Sequence, residues 1–200
     1  MTFSRRQIVL AGLLSPLILP ATLANSVETN EDGLHVQPWF LDSFMDMQED
    51  HGDALSNGKH LAVIFEQRGC PYCREMHTVN FAKPEITDFI KQHFSVVQIN
   101  LWGARETTDF DGETMEERAL ARKWGVNFTP TIVFFPNSKL ASQPGRKLEI
   151  ARMPGYMRPF HFISMFEFVQ SESYRKIEFQ RFLQHKFEEM EKKGIKPEVW

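Results

Sequence analysis

Two cysteines occur among the 200 residues, Cys70 and Cys73, and they share one four-residue window, Cys70-Pro71-Tyr72-Cys73. Sulfurs at this spacing can exchange disulfides, supply part of a metal site, or close a small structural loop. The loop reading is weak, because a bridge over two intervening residues constrains little of the unfolded ensemble. A structural zinc site needs four ligands and no second cysteine pair exists. His77, four residues after Cys73 on the same helix face, is the one candidate third ligand, and a lone helical histidine more commonly serves packing or the surface. Redox chemistry therefore leads, with a non-catalytic metal-binding module as the alternative from a different class.

Such chemistry needs the first sulfur at a strand-to-helix junction. Residues 61–65 form a continuous apolar run, the pattern of a central strand buried on both faces. Pro71 then suits the first turn of a helix, where its fixed φ and missing donor cost nothing. Cys70 would thus lie at a helix N-terminus, where backbone donors and the dipole favour thiolate, which makes it the nucleophile. Cys73, one turn in, is placed to attack a mixed disulfide at Cys70 and release the substrate. A second feature is Thr129-Pro130, directly before an apolar strand at 132–135.

The elements that position these residues follow from periodicity. A helix is expected over 39–55, after a polar, flexible stretch at 27–33. The helix opened by Pro71 continues past Met76 to Phe81 and restarts at Pro84, and a second buried strand spans 96–101, parallel to the first. Residues 102–112 read as a polar loop, acidic through Asp109, Asp111 and Glu113, solvated or used for partner recognition. A helix over 115–124 stops at Gly125. Residues 132–135 and 148–153 form an antiparallel pair around a turn at 137–145. An all-round apolar helix spans 160–169, and an amphipathic helix at 174–190 carries Phe179, Phe182, Leu183, Phe187 and Met190 as one stripe. Packing of that stripe on its own domain makes a monomer the expectation.

Composition is ordinary for one domain with extra termini, at 42% hydrophobic and 24% charged residues. A net charge of −3 without a long basic run argues against nucleic acid as a partner. With 18 Phe against 3 Tyr, the aromatics are of the core-filling kind. Residues 1–24 read as a signal peptide: Arg5-Arg6 precede an apolar run over 8–19 that is broken by Pro16 and ends near Ala21 and Ala24. The run is shorter than the ~20 residues of a spanning helix. The arginine pair is similar to a twin-arginine signal but lacks its usual Phe and later Lys, so both export routes stay open. The organisation read here is a signal peptide at 1–24, a main domain at 25–171 and a helical extension at 172–200, with a periplasmic location.

The order strand, Cys-x-x-Cys helix, strand, helix, Thr-Pro, strand, strand, helix resembles the thioredoxin fold, an α/β architecture with a central mixed sheet flanked by helices. Within that superfamily the chain looks like the SoxW-type periplasmic thioredoxins. The likeness rests on Glu66-Gln67-Arg68-Gly69-Cys70-Pro71-Tyr72-Cys73, Gln98-Ile99-Asn100-Leu101-Trp102-Gly103, Thr108-Asp109-Phe110-Asp111-Gly112, and Ala121-Arg122-Lys123-Trp124-Gly125-Val126 running into Thr129-Pro130. It implies a cis Pro130 facing the sulfurs, and backbone pairing of Thr129 with a substrate strand. Pro71, Tyr72, Thr129 and Pro130 would contact substrate. It also implies no cofactor, disulfide-bearing exported proteins as substrates and a membrane thiol transporter as electron donor. The buried Asp that many thioredoxins carry six residues before the first cysteine is replaced by Ile64. Glu66, two residues later on the same strand face, is the candidate proton acceptor. Pro-Tyr between the cysteines resembles glutaredoxins, which points to a potential nearer about −200 to −230 mV than about −270 mV. Reductase, oxidase and isomerase share this motif and differ in redox poise.

Overall fold

Helix α1 (Met47–Ser56) begins where a cap allows it, at Asp46, whose carboxylate accepts from the backbone N–H groups of Gln48 and Glu49. The helix expected over 39–55 therefore starts later. Met45, before the cap, holds a left-handed φ of 66° and its carbonyl accepts from Thr107 Oγ1 and Thr108 N, at 2.9 and 2.8 Å. The computed structural model of the chain describes residues 28–196. The signal peptide read at 1–24 lies outside the described residues.

Strand β1 (His60–Glu66) is buried at every position, as its apolar run predicts. Helix α2 (Pro71–Glu75) has Pro71 in its first turn and runs into a π turn, Met76–Asn80. Pro84 opens α3 (Pro84–His93), which leads into β2 (Phe94–Asn100), parallel to β1. The order continues through β3 (Glu106–Thr108), β4 (Thr114–Glu116), α4 (Glu117–Lys123), β5 (Thr131–Phe135), α5 (Gly145–Leu148), β6 (Ala151–Pro154) and α6 (Pro159–Gln170). The main sheet has the order β2-β1-β5-β6, with β5 antiparallel to both its neighbours. This is the mixed sheet flanked by helices that the sequence predicts.

Strand alternation divides the interior in two. Leu61, Val63 and Phe65 of β1 face Met47, Leu120, Trp124 and Phe135 on the α1/α4 side. Ala62 and Ile64 face Met76, Phe81, Ile90 and Phe166 on the α2/α3/α6 side.

Three further expectations change. The loop over 102–112 contains β3 of the two-stranded hairpin, and its acidic Asp109 is buried rather than solvated. Asp109 Oδ1 accepts from Phe110 N, Trp124 Nε1 and Gly145 N at 2.8, 3.0 and 3.0 Å, and Oδ2 lies 2.8 Å from Lys123 Nζ. The strand expected over 148–153 is shorter because α5 takes residues 145–148, with Gly145 lying flat against the Trp124 ring. The amphipathic helix expected over 174–190 is split into a 3₁₀ turn, Ser173–Arg175, and α7 (Phe179–Lys192). Phe179 and Phe182 each pack an inclined ring against Phe168 of α6, 5.4 Å between centroids, while no α7 residue is fully buried.

Asp50 in α1 is also buried, and burial pushes its carboxyl up to about 6. The Ser43 hydroxyl at 2.6 Å opposes that rise, and Asp46, Glu49 and Asp53 add to it. Its folded-state value lies above the ordinary 3.8. Asp50 thus favours the fold while protonated, and that contribution is lost as pH rises through about 6. Asp50→Asn is expected to raise stability at pH 8 by roughly 1–2 kcal/mol, solvent screening included, and to flatten stability between pH 4 and 7. Urea midpoints across that range check this; an unaltered slope in the variant would remove Asp50 as its source.

Candidate redox site

The site begins where β1 ends. Gly69 takes a left-handed φ of 71°, which turns the chain from strand into helix, and Cys70 becomes the N-cap of α2. Cys70 Sγ accepts from Cys73 N at 3.1 Å, the bond a serine oxygen usually makes at this position. The two cysteines are joined as a disulfide, with Cα atoms 5.2 Å apart. Thr129 closes over the same sulfur, with Oγ1 at 3.3 Å and the carbonyl oxygen at 3.7 Å. The Thr129-Pro130 peptide is cis. The N–H of Cys73 and the hydroxyl of Thr129 both point at Cys70 Sγ, so opening the disulfide leaves a thiolate there with two donors in place.

The two sulfurs differ in access: Cys70 is 5% exposed and Cys73 1%. Pro71 and Tyr72 are exposed beside them. Five large apolar side chains stand exposed among the described residues, and three of them flank the pair: Tyr72 next to Cys73, Phe128 next to Thr129, and Trp102. Trp102 Nε1 donates to Gln67 Oε1 at 2.9 Å, in the turn that leads to Cys70. Trp102 was not singled out as a site residue by its sequence; its place beside the pair rests on the bond to Gln67, 35 residues away.

Glu66, the candidate proton acceptor, is fully buried, so the solvated role usual for a strand-end glutamate does not apply. Its Oε1 lies 3.0 Å from His77 Nε2 and its Oε2 accepts from Gln98 Nε2. His77 is buried in the π turn, not at the surface. Its Nδ1 lies 3.1 Å from Gln37 Nε2. Gln37 belongs to the segment over 28–41, read from sequence as flexible at its start. That segment is instead tied down: Arg68 Nε and Nη2 donate to the carbonyls of Asp32 and Glu31, at 2.9 and 3.3 Å, and Leu41 N donates to Val96 O at 2.8 Å. Among the described residues, no group of three His, Cys, Asp or Glu side chains is arranged to hold a metal ion.

The family model of the thioredoxin-like domain matches residues 47–170. Among solved structures, a thioredoxin-fold protein from Helicobacter pylori is similar at 27% identity and a TM-score of 0.50, over 66% of this chain and 81% of that one. A thioredoxin from Thermus thermophilus is similar at 24% identity and a TM-score of 0.47, over 61% and 82%. The C-terminal domain of Neisseria meningitidis DsbD in its oxidised form is similar at 20% identity and a TM-score of 0.41, over 62% and 92%. No curated protein matches the chain.

Proposed function

The chain belongs to the thioredoxin-like domain family, and from that premise we propose that it is an exported thiol–disulfide oxidoreductase that reduces disulfides of partner proteins through Cys70 and Cys73. The observation that carries this reading is the setting of Cys70: a helix-capping sulfur with two aimed donors, opposite Thr129-Pro130. Cys70 attacks the substrate disulfide and Cys73 resolves the mixed disulfide. An extended partner segment pairs with the backbone at Thr129. The exposed Tyr72, Trp102 and Phe128 give that segment an apolar rim to lie on.

The export reading draws on residues 1–24 and places the protein in the periplasm. Disulfide-bearing exported proteins are then its substrates and a membrane thiol transporter is its electron source, as in the SoxW-type branch that the sequence resembles. It acts as a monomer, without cofactor and without nucleic acid.

Direction of electron flow is set by potential. Equilibration of Cys70–Cys73 against glutathione redox buffers is expected to give a value at or below about −200 mV, together with catalysis of insulin reduction by dithiothreitol. A value near about −120 mV, typical of a strong oxidant, would reverse the direction proposed here.

A further inference from the structure

The turn after β2, the turn from β1 into Cys70 and the Thr129-Pro130 entry to β5 meet at one end of the main sheet, because β2 runs parallel and β5 antiparallel to β1. With the strand order β2-β1-β5, Cys70 lies between Thr129 on one side and the β2 turn, which carries Trp102, on the other. We propose that Trp102 determines specificity: its indole face takes an apolar, above all aromatic, side chain of the substrate close to the reactive cysteine, and Gln67 positions that face. This rests on the redox reading above and names the class of segment that the same site selects.

The register sets the distance. Glu66 is paired with Asn100, so the chain leaves β2 for Trp102 alongside Gln67. Neighbouring strands lie about 4.7–4.9 Å apart and an extended segment advances about 3.3 Å per residue, so a substrate chain crossing from Cys70 toward β2 reaches the indole within about two or three residues. Gln67 ties the two turns together. Its carbonyl accepts from Cys70 N at 3.4 Å and its side-chain oxygen from Trp102 Nε1 at 2.9 Å.

The turn itself is fixed. Asn100 Oδ1 accepts from Trp102 N at 3.1 Å and the Asn100 carbonyl from Gly103 N at 2.9 Å. Beneath it the fully buried Glu117 accepts from Asn100 N at 2.9 Å and pairs with Arg105 at 2.7 Å. A Cβ at Gly103 would stand 1.9 Å from the Glu117 carboxylate, so only glycine closes the turn this way. Trp102 nonetheless stays 67% exposed. A large ring held in place and left in water loses little further freedom when a partner docks on it.

Its chemistry is narrow. The indole N–H is spent on Gln67 and the side chain has no other hydrogen-bonding group, which leaves the ring face, suited to apolar contact and aromatic stacking. The nearby charges are of both signs: Arg68 donates to the carbonyls of Asp32 and Glu31, and Arg105 is paired with Glu117 and feels Asp32. Selection therefore falls to the ring. Tyr72, by contrast, already has the ring of Tyr156 stacked on it, 6.3 Å between centroids.

The test is a set of peptide disulfides of one sequence with Phe, Leu, Ser, Asp or Lys two residues before or after the cysteine. Wild type is expected to favour Phe over Ser by about 10-fold in kcat/KM at one of the two positions. Trp102→Ala is expected to bring that ratio within about twofold of unity, with the change in KM; a ratio does not depend on how much enzyme is folded. Gln67→Leu, which frees the indole, is expected to leave roughly a threefold preference, and Gln67→Glu, which keeps the acceptor, to restore it. A wild-type ratio near unity, a preference for Lys over Phe, or an unaltered ratio in Trp102→Ala would overturn the proposal. Full selectivity in Gln67→Leu would remove Gln67 from it. Reduction of hydroxyethyl disulfide by the wild-type protein, a substrate with no side chain to select, leaves the redox reading standing in each of those cases, and its absence would bring down both.

Discussion

Cys70→Ser is expected to lose disulfide reductase activity to the buffer background, while Cys73→Ser forms one equivalent of mixed disulfide with substrate and stops. The asymmetry follows from the cap. Cys70 Sγ receives the Cys73 N–H at 3.1 Å and the Thr129 hydroxyl at 3.3 Å, so its thiolate is the stabilised one. A serine oxygen can accept the same two bonds but is a poor nucleophile at neutral pH. Cys73, at 1% exposure and one turn further into the helix, is covered and placed to resolve rather than to attack. Turnover with insulin, and mass spectrometry of the Cys73→Ser adduct after exposure to a periplasmic extract, check the pair of outcomes. Wild-type turnover by Cys70→Ser would remove the redox assignment.

The second large effect concerns stability. Asp109→Ala is expected to cost about 3–5 kcal/mol, because it strips three N–H groups of their acceptor, removes the buried one of the three carboxylates on Lys123 and leaves a cavity beside Trp124. Against a typical total of about 5–15 kcal/mol this is a large fraction. Asp109→Asn retains an oxygen for the three donors, and Lys123 keeps Asp111 and Glu113 at 2.7 and 2.8 Å. Its cost is expected to be about 1–2 kcal/mol. Denaturant titration separates the two variants, and equal losses would show that the charge, not the acceptor geometry, is what the hairpin needs.

Sequence patterning located the parts of the fold that depend on near neighbours. The apolar run of β1, Pro71 and Pro84 at helix starts, and the strand after Pro130 all act within a few residues of themselves. What escaped depends on distant partners. Trp39 and Phe40 look helical by spacing, yet they pack edge-on against Phe81, and the helix waits for the cap at Asp46. The hairpin strands are three residues each, too short for any period to show. Asp109 sits in a polar run and reads as solvated until Trp124 and Gly145 supply donors 15 and 36 residues away. In the redox site the cysteines were legible from spacing alone. His77 was legible only as a possible third metal ligand; its pairing with Glu66 and Gln37 was not, because they lie 11 and 40 residues back in the chain.

The alternation of β1 carries a consequence for how the strand finds its place. In the observed register Glu66 lies opposite Asn100 while Phe65 points to the other side, with its ring 5.7 Å from that of Trp124. Since side chains alternate strictly, sliding β1 by one position would exchange the two faces. The carboxylate would enter the Trp124 cluster with no donor, and Phe65 would displace it from His77 and Gln98. An uncompensated buried charge costs several kcal/mol, far more than a misplaced methyl group. One acidic residue at the end of an otherwise apolar strand therefore proofreads the alignment of the whole sheet.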